Sequence, residues 1–215
     1  MILLPGIVLP AEPAYGALIA ALGPDVEAVA KDLEVYATPE PPEDYSLEVE
    51  IAGVLREADA HGWDRFHLVG YSGGGAASLA FAAARAERLG SLALLEPAWA
   101  GNWDLSPAEK ALWVQFDGLE GLPVEQLMPT FMRLGLKPGV PLPAPPPGDP
   151  PWMAKRPAGI RAIQRAFKRG DIDREALRRF DRPVYFALGA LSNPDQYGEI
   201  ARRLSGVFPS FELEV

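Results

Sequence analysis

Cysteine is absent from the 215 residues, which excludes disulfides, thiolate metal sites and a cysteine nucleophile. Histidine is nearly absent: His61 and His67 are the only two, which leaves little for a zinc site. Long apolar runs are missing as well. No window of about 18 apolar residues is free of charge or proline, so no membrane-spanning helix is expected. No basic segment precedes an apolar one at the start, so no secretory leader is expected and a cytoplasmic location is the default. Basic residues are in deficit, with 20 Lys and Arg against 29 Asp and Glu for a net charge of -9. A chain without a basic face cannot neutralise phosphates, which argues against a general nucleic-acid binder. The same charge disfavours adhesion to acidic membranes.

What is present fits one globular domain: 48 % hydrophobic and 23 % charged residues in a length that suits one good core. Strand-like and helix-like patterns alternate. "MILLPGIVLP" begins as a strand that ends at Pro5-Gly6. Helical spacing over Tyr15–Gly23 stops at a glycine. A second short strand is expected near Leu33–Ala37, and an amphipathic helix over Ser46–Gly62 with Ser46 as N-cap. "FHLVGY", "SLALLEPAW" and "RPVYFALG" read as strands and "FELEV" as a half-exposed last one. Several are continuous apolar runs, as for parallel strands buried on both faces. The expected fold class is α/β: a three-layer, mostly parallel sheet flanked by helices.

Residues 100–181 break this rhythm with helical patterns and no strong strand. They read as a helical cap inserted between core segments 1–99 and 182–215. A proline-rich stretch, Pro138–Pro151, can be neither regular helix nor central strand. It reads as an extended strap or a loop, with a PxxP ligand for another domain as the alternative.

"HLVGYSGGGAASLAF" places Ser72 between an apolar strand and an alanine-rich helix, with Gly70 and Gly74 two residues to either side. A sharp strand-to-helix turn thrusts such a hydroxyl out at the carboxyl edge of a sheet, and bulky neighbours at both positions would collide. The amide of Gly73 then points, with the helix dipole behind it, to where an oxyanion would develop. Ser72 is therefore the candidate nucleophile. The competing reading, a phosphate-binding turn, lacks the lysine of a P-loop, and the glycines do not fall as G-x-G-x-x-G.

With "ILLPGIVLPAEPAYGALIAALG" before it and "SLALLEPAW" after it, this stretch resembles the α/β-hydrolase superfamily over essentially the whole chain. The resemblance implies a serine nucleophile, an acyl-enzyme intermediate and no cofactor. It also implies a second oxyanion donor from the backbone after the first strand, at Ile7 or Val8, although the family's usual His-Gly is here Pro5-Gly6. It implies an acid at Glu96 or at Asp195, with Glu96 slightly favoured because it follows its strand directly.

The base is missing. His67 lies five residues before Ser72, some 16 Å back along a strand at about 3.3 Å per residue. His61 falls before that strand, toward its opposite edge. The resemblance places the histidine in a loop after the last strand, where "FELEV" ends the sequence. Two expectations follow: a C-terminal segment carrying the base has been lost, the favoured one, or the hydrolase is degenerate.

The insertion and the residue just before it are rich in large apolar side chains, among them Trp99, Trp103, Trp113, Phe116, Phe131 and Met132. Most are expected in the core and a minority over the serine, roofing a pocket for a small apolar ester-like substrate. The functional expectation is a carboxylic-ester hydrolase, inactive or slow without its base. The alternative is a non-catalytic small-molecule-binding protein on the same scaffold.

Overall fold

Six short runs form strands: β1 (Ile2–Leu4), β2 (Val29–Ala30), β3 (Phe66–Tyr71), β4 (Leu89–Leu95), β5 (Val184–Ala187) and β6 (Phe211–Glu214). They pair in the order β2-β1-β3-β4-β5-β6, every neighbouring pair parallel. The structure, a computed structural model, describes residues 1–142, Ala144, Gly148 and 150–215. The expected strap over Pro138–Pro151 therefore lies partly outside the described residues. Eight α-helices flank the sheet among the described residues: α1 (Ala11–Leu22), α2 (Leu47–Ala60), α3 (Gly73–Ala84), α4 (Pro107–Asp117), α5 (Val124–Leu134), α6 (Arg156–Arg169), α7 (Arg174–Arg178) and α8 (Glu199–Ser205). None is long and apolar enough to cross a membrane.

Strand order decides where a ligand can sit. From β1 the chain crosses by α1 to β2 on one side, then returns by α2 to β3 on the other. Right-handed crossovers running in opposite directions place α1 and α3 on opposite faces. The loops leaving β1 and β3 then diverge and open a crevice at the carboxyl edge.

Two expectations about strands are corrected. Leu33–Ala37 is not a strand; the second strand is Val29–Ala30, and Glu34–Tyr36 is a turn of 3-10 helix. The reason is Glu50 of α2. Its fully buried carboxylate accepts from the amides of Glu34 at 2.9 Å and Val35 at 3.0 Å, so those donors are taken by a side chain rather than a neighbouring strand. Burial on both faces is seen in β1, where Ile2, Leu3 and Leu4 are all buried, but not in β3, β4 and β5. Leu68, Leu92, Leu94, Val184 and Phe186 are buried on the side of α3. The alternate residues remain accessible: His67 and Tyr71 exposed, Val69, Ala93 and Tyr185 half-buried. Ser46 stands at the N-cap of α2 as expected, but its side chain makes no capping bond.

The inserted helices are tied to the core by one buried ion pair. Arg203 of α8 and Glu109 of α4 meet at 2.9 Å with side chains 3 % and 2 % exposed. Glu109 also closes a capping box with Ser106 at the start of α4. Arg203 spends its remaining donors on the carbonyls of Ala100 and Trp103. Helix α7 packs instead against α3.

Candidate active site

Ser72 occupies the single residue between β3 and α3, with φ 50° and ψ -114°. A non-glycine residue in the left-handed half of the map is strained and persists only when its surroundings over-determine it. Here they do. The Ser72 amide donates to the carbonyl of Leu95 at 3.0 Å, and its carbonyl accepts from the amides of Ala76 at 3.0 Å and Ala98 at 2.9 Å. The expected small neighbours are required by contact. A side chain at Gly70 would strike Ser78 and the Gly74 carbonyl. A Cβ at Gly74 would lie 2.5 Å from the carbonyl oxygens of Leu4 and Pro5. The amide of Gly74 donates to the Pro5 carbonyl at 3.0 Å, which locks the elbow to the end of β1.

The elbow opens into a cavity of about 270 Å³ at the carboxyl edge, between the loops that follow β1 and β3. Its walls include Ser72, Ile7, Val8 and Glu96. Trp113, Phe116, Phe131 and Met132 of the inserted helices also line it, whereas Trp99 and Leu127 are core residues 1 % and 0 % exposed.

Glu96 follows β4 with φ 48°, a second strained non-glycine residue. Its amide donates to the Ala187 carbonyl at 3.1 Å, and its carboxylate accepts from the Gly189 amide at 2.6 Å. The turns leaving β4 and β5 thus aim this carboxylate into the cavity. It raises the pKa of two tyrosines whose phenolates would be like charges: Tyr71, exposed over part of its surface but with desolvation at the cavity wall as the larger cause, and Tyr197, where burial and then Tyr71 come first. Asp195 is exposed, is the second residue of the π-helical turn Pro194–Gly198, and does not line this cavity. Of the two candidate acids, only Glu96 shares the cavity with Ser72.

Gly73 is the first residue of α3, so its amide is among those with no partner inside the helix. A Cβ there would strike the Ile7 side chain, which means the loop after β1 lies directly on the helix start. Among the described residues the amides of Ile7, Val8 and Gly73 donate to no other group.

Neither histidine lines the cavity. The Nδ1 of His67 sits 2.8 Å from the Ser91 hydroxyl on the exposed sheet face. His61, past the end of α2, stacks on Trp63 with ring centroids 4.5 Å apart and meets Glu57 at 3.3 Å.

No family model matches the chain, and no curated protein does. Solved structures do. A hydrolase from Pseudomonas aeruginosa superposes over 99 % of this chain and 80 % of its own, with TM-score 0.68 and 21 % identity. A serine hydrolase from Cycloclasticus zankles matches over 100 % and 80 %, with TM-score 0.66 and 15 % identity. Naproxen esterase from Bacillus subtilis matches over 100 % and 74 %, with TM-score 0.60 and 20 % identity. The chain has the α/β-hydrolase fold.

Sequence reasoning on this hydrolase fold misses Tyr71, Gln164, Gln196 and Tyr197, all of which line the cavity. Tyr71 is visible only as a spacer in "GYSGG". Gln196 and Tyr197 enter because the turn Pro194–Gly198 packs on α4, a contact that no local spacing announces.

Proposed function

We propose that this cavity is the site of a serine hydrolase of the carboxylic-ester type, with Ser72 as nucleophile. The observation that carries the reading is the strained Ser72, φ 50°, held in the wall of an apolar cavity that Glu96 also lines. In the reaction, the Ser72 oxygen bonds to the ester carbonyl carbon and loses its proton. The tetrahedral oxyanion is met by the amide of Gly73 and by an amide of the Ile7–Val8 segment. The C–O bond then breaks, the alcohol leaves with a proton, and water hydrolyses the acyl-enzyme. Glu96 is the acid that would orient a base. The helices of residues 100–181 act as the cap, and Trp113, Phe116, Phe131 and Met132 suit a small apolar acyl or alkyl group.

The cavity walls include no histidine. The Ser72 hydroxyl then stays protonated and weakly nucleophilic at neutral pH. Oxyanion stabilisation and binding alone leave a residual rate of about 10³-fold over water, so turnover by this chain is slow. The test is hydrolysis of p-nitrophenyl butyrate with and without added imidazole, a base small enough for a cavity of about 270 Å³. A slow rate above the protein-free imidazole background that rises with imidazole, and an excess that vanishes in Ser72→Ala, are expected. A rate that Ser72→Ala leaves unchanged overturns the nucleophile, and a fast rate without imidazole overturns the slow-turnover reading. The same missing base favours one second reading, a protein that binds small apolar molecules without reacting. It predicts saturable ligand binding with no Ser72-dependent chemistry at any imidazole concentration.

A further inference from the structure

The residues after β1 are held by a side chain from the 34–36 turn. The Tyr36 hydroxyl donates to the Ile7 carbonyl at 2.7 Å, and Tyr36 does not itself line the cavity. The Ile7–Val8 peptide is planar and trans, so its N–H points opposite to its C=O. With the Ile7 carbonyl engaged by Tyr36, the N–H of Val8 is directed away from Tyr36, on a segment that lines the cavity beside Ser72. We propose that Tyr36 is a positioning residue that sets the second oxyanion donor, and that this donor is the amide of Val8 rather than that of Ile7. The inference rests on the serine-hydrolase reading above.

Tyr36 is itself fixed from two sides. From the core, Glu50 clamps the turn that carries it, accepting from the amides of Glu34 and Val35 and from the Tyr45 hydroxyl at 2.8 Å. From the insertion, α6 lies flat against the ring. A Cβ at Gly159 would strike it, and the Arg156 guanidinium stacks over it at 3.9 Å from the ring centroid. Lys155 also reaches the Tyr36 carbonyl at 3.4 Å. Burial pushes the Tyr36 hydroxyl up to about 12, with Arg156 pulling it back, so it remains a donor across the neutral range. Helix α6 also contributes Ile163, Gln164 and Phe167 to the cavity wall. One aromatic ring therefore keys the seating of the inserted helices to the aim of an oxyanion donor.

The test uses a fluorophosphonate in imidazole buffer. The Ser72 oxygen bonds to phosphorus, the P–F bond breaks, fluoride leaves and the proton goes to imidazole. Tyr36→Phe keeps the ring, the Gly159 contact and the Arg156 stack, and removes only the hydroxyl. Its maximal labelling rate is expected to fall about 10- to 100-fold, with the half-saturating probe concentration unchanged; a role in folding alone would not split the two. A second measurement needs no variant. On labelling the wild-type protein, the amide proton resonances of Gly73 and Val8 should move downfield while that of Ile7 stays in place. If the wild-type protein never labels at Ser72, the hydrolase reading fails and this inference fails with it. If it labels, and either Tyr36→Phe labels as fast or Ile7 responds in place of Val8, only the positioning role is overturned.

Discussion

Gly74→Ala adds one methyl group at the point where the elbow touches β1. The new carbon would lie 2.5 Å from two main-chain oxygens, those of Leu4 and Pro5. Ordinary C···O contacts begin at about 3.3 Å, so the backbones must part by about 0.8 Å. No flexible side chain can give way, because both oxygens belong to the end of β1 and the Gly74 amide is bonded to one of them. Overpacking of this kind costs about 1–3 kcal/mol, which for a chain of this size lowers the melting midpoint by about 2–12 °C. The displaced loop carries Ile7 and Val8, and a shift near 1 Å in a positioned donor costs on the order of 100-fold in rate. Calorimetry and fluorophosphonate labelling of Ser72, followed by intact mass, read both effects. Gly118→Ala is the control. Gly118 has φ -62° at the end of α4 with nothing within 4 Å of the added carbon, so alanine should stabilise by about 0.4–1 kcal/mol. A Gly74→Ala protein that melts and labels like the wild type would refute the elbow geometry.

Three further expectations concern groups around the site. Arg203→Met and Glu109→Gln each disrupt the buried pair joining α8 to α4. The methionine variant should lose about 3–5 kcal/mol in urea denaturation, because it leaves a buried carboxylate without its guanidinium partner; a loss below about 1 kcal/mol would contradict that seating. Burial lifts the Glu50 carboxyl above the ordinary range, against the pull of its three hydrogen bonds and Lys31. The folded chain then holds a proton that the unfolded chain releases, so the stability tied to Glu50 declines as pH climbs from the ordinary carboxyl range through the raised value. The stability of wild type relative to Glu50→Gln should therefore shrink over that window, and a difference that grows instead would reverse the assignment. Glu96→Gln removes the charge that, after burial, raises Tyr71. Tyr71 should titrate at lower pH in that variant, as read by NMR, and an unmoved titration would place Glu96 away from it.

Pattern alone specified the parts of this protein governed by near neighbours. Strand β3, the elbow and α3 are legible in "FHLVGYSGGGAASLAF" because each demand there is local: apolar side chains to bury, a turn that tolerates no bulk, then small helix formers. The charge balance and the scarcity of histidine are likewise properties of composition, and no folding alters them. Distance-dependent facts were beyond its reach. Leu33–Ala37 has the look of a strand, but a carboxylate from α2, more than a dozen residues later, claims its amides. On paper Glu96 is only slightly favoured over Asp195 as the acid, yet the strained turn after β4 sends Glu96 into the cavity and the π-helical turn leaves Asp195 on the surface. Tyr36 carries no motif at all. Its relation to Ile7 exists only because the sheet order brings the β1 loop, the 34–36 turn and α6 to one point, and hydrogen bonds act across space without regard to separation along the chain.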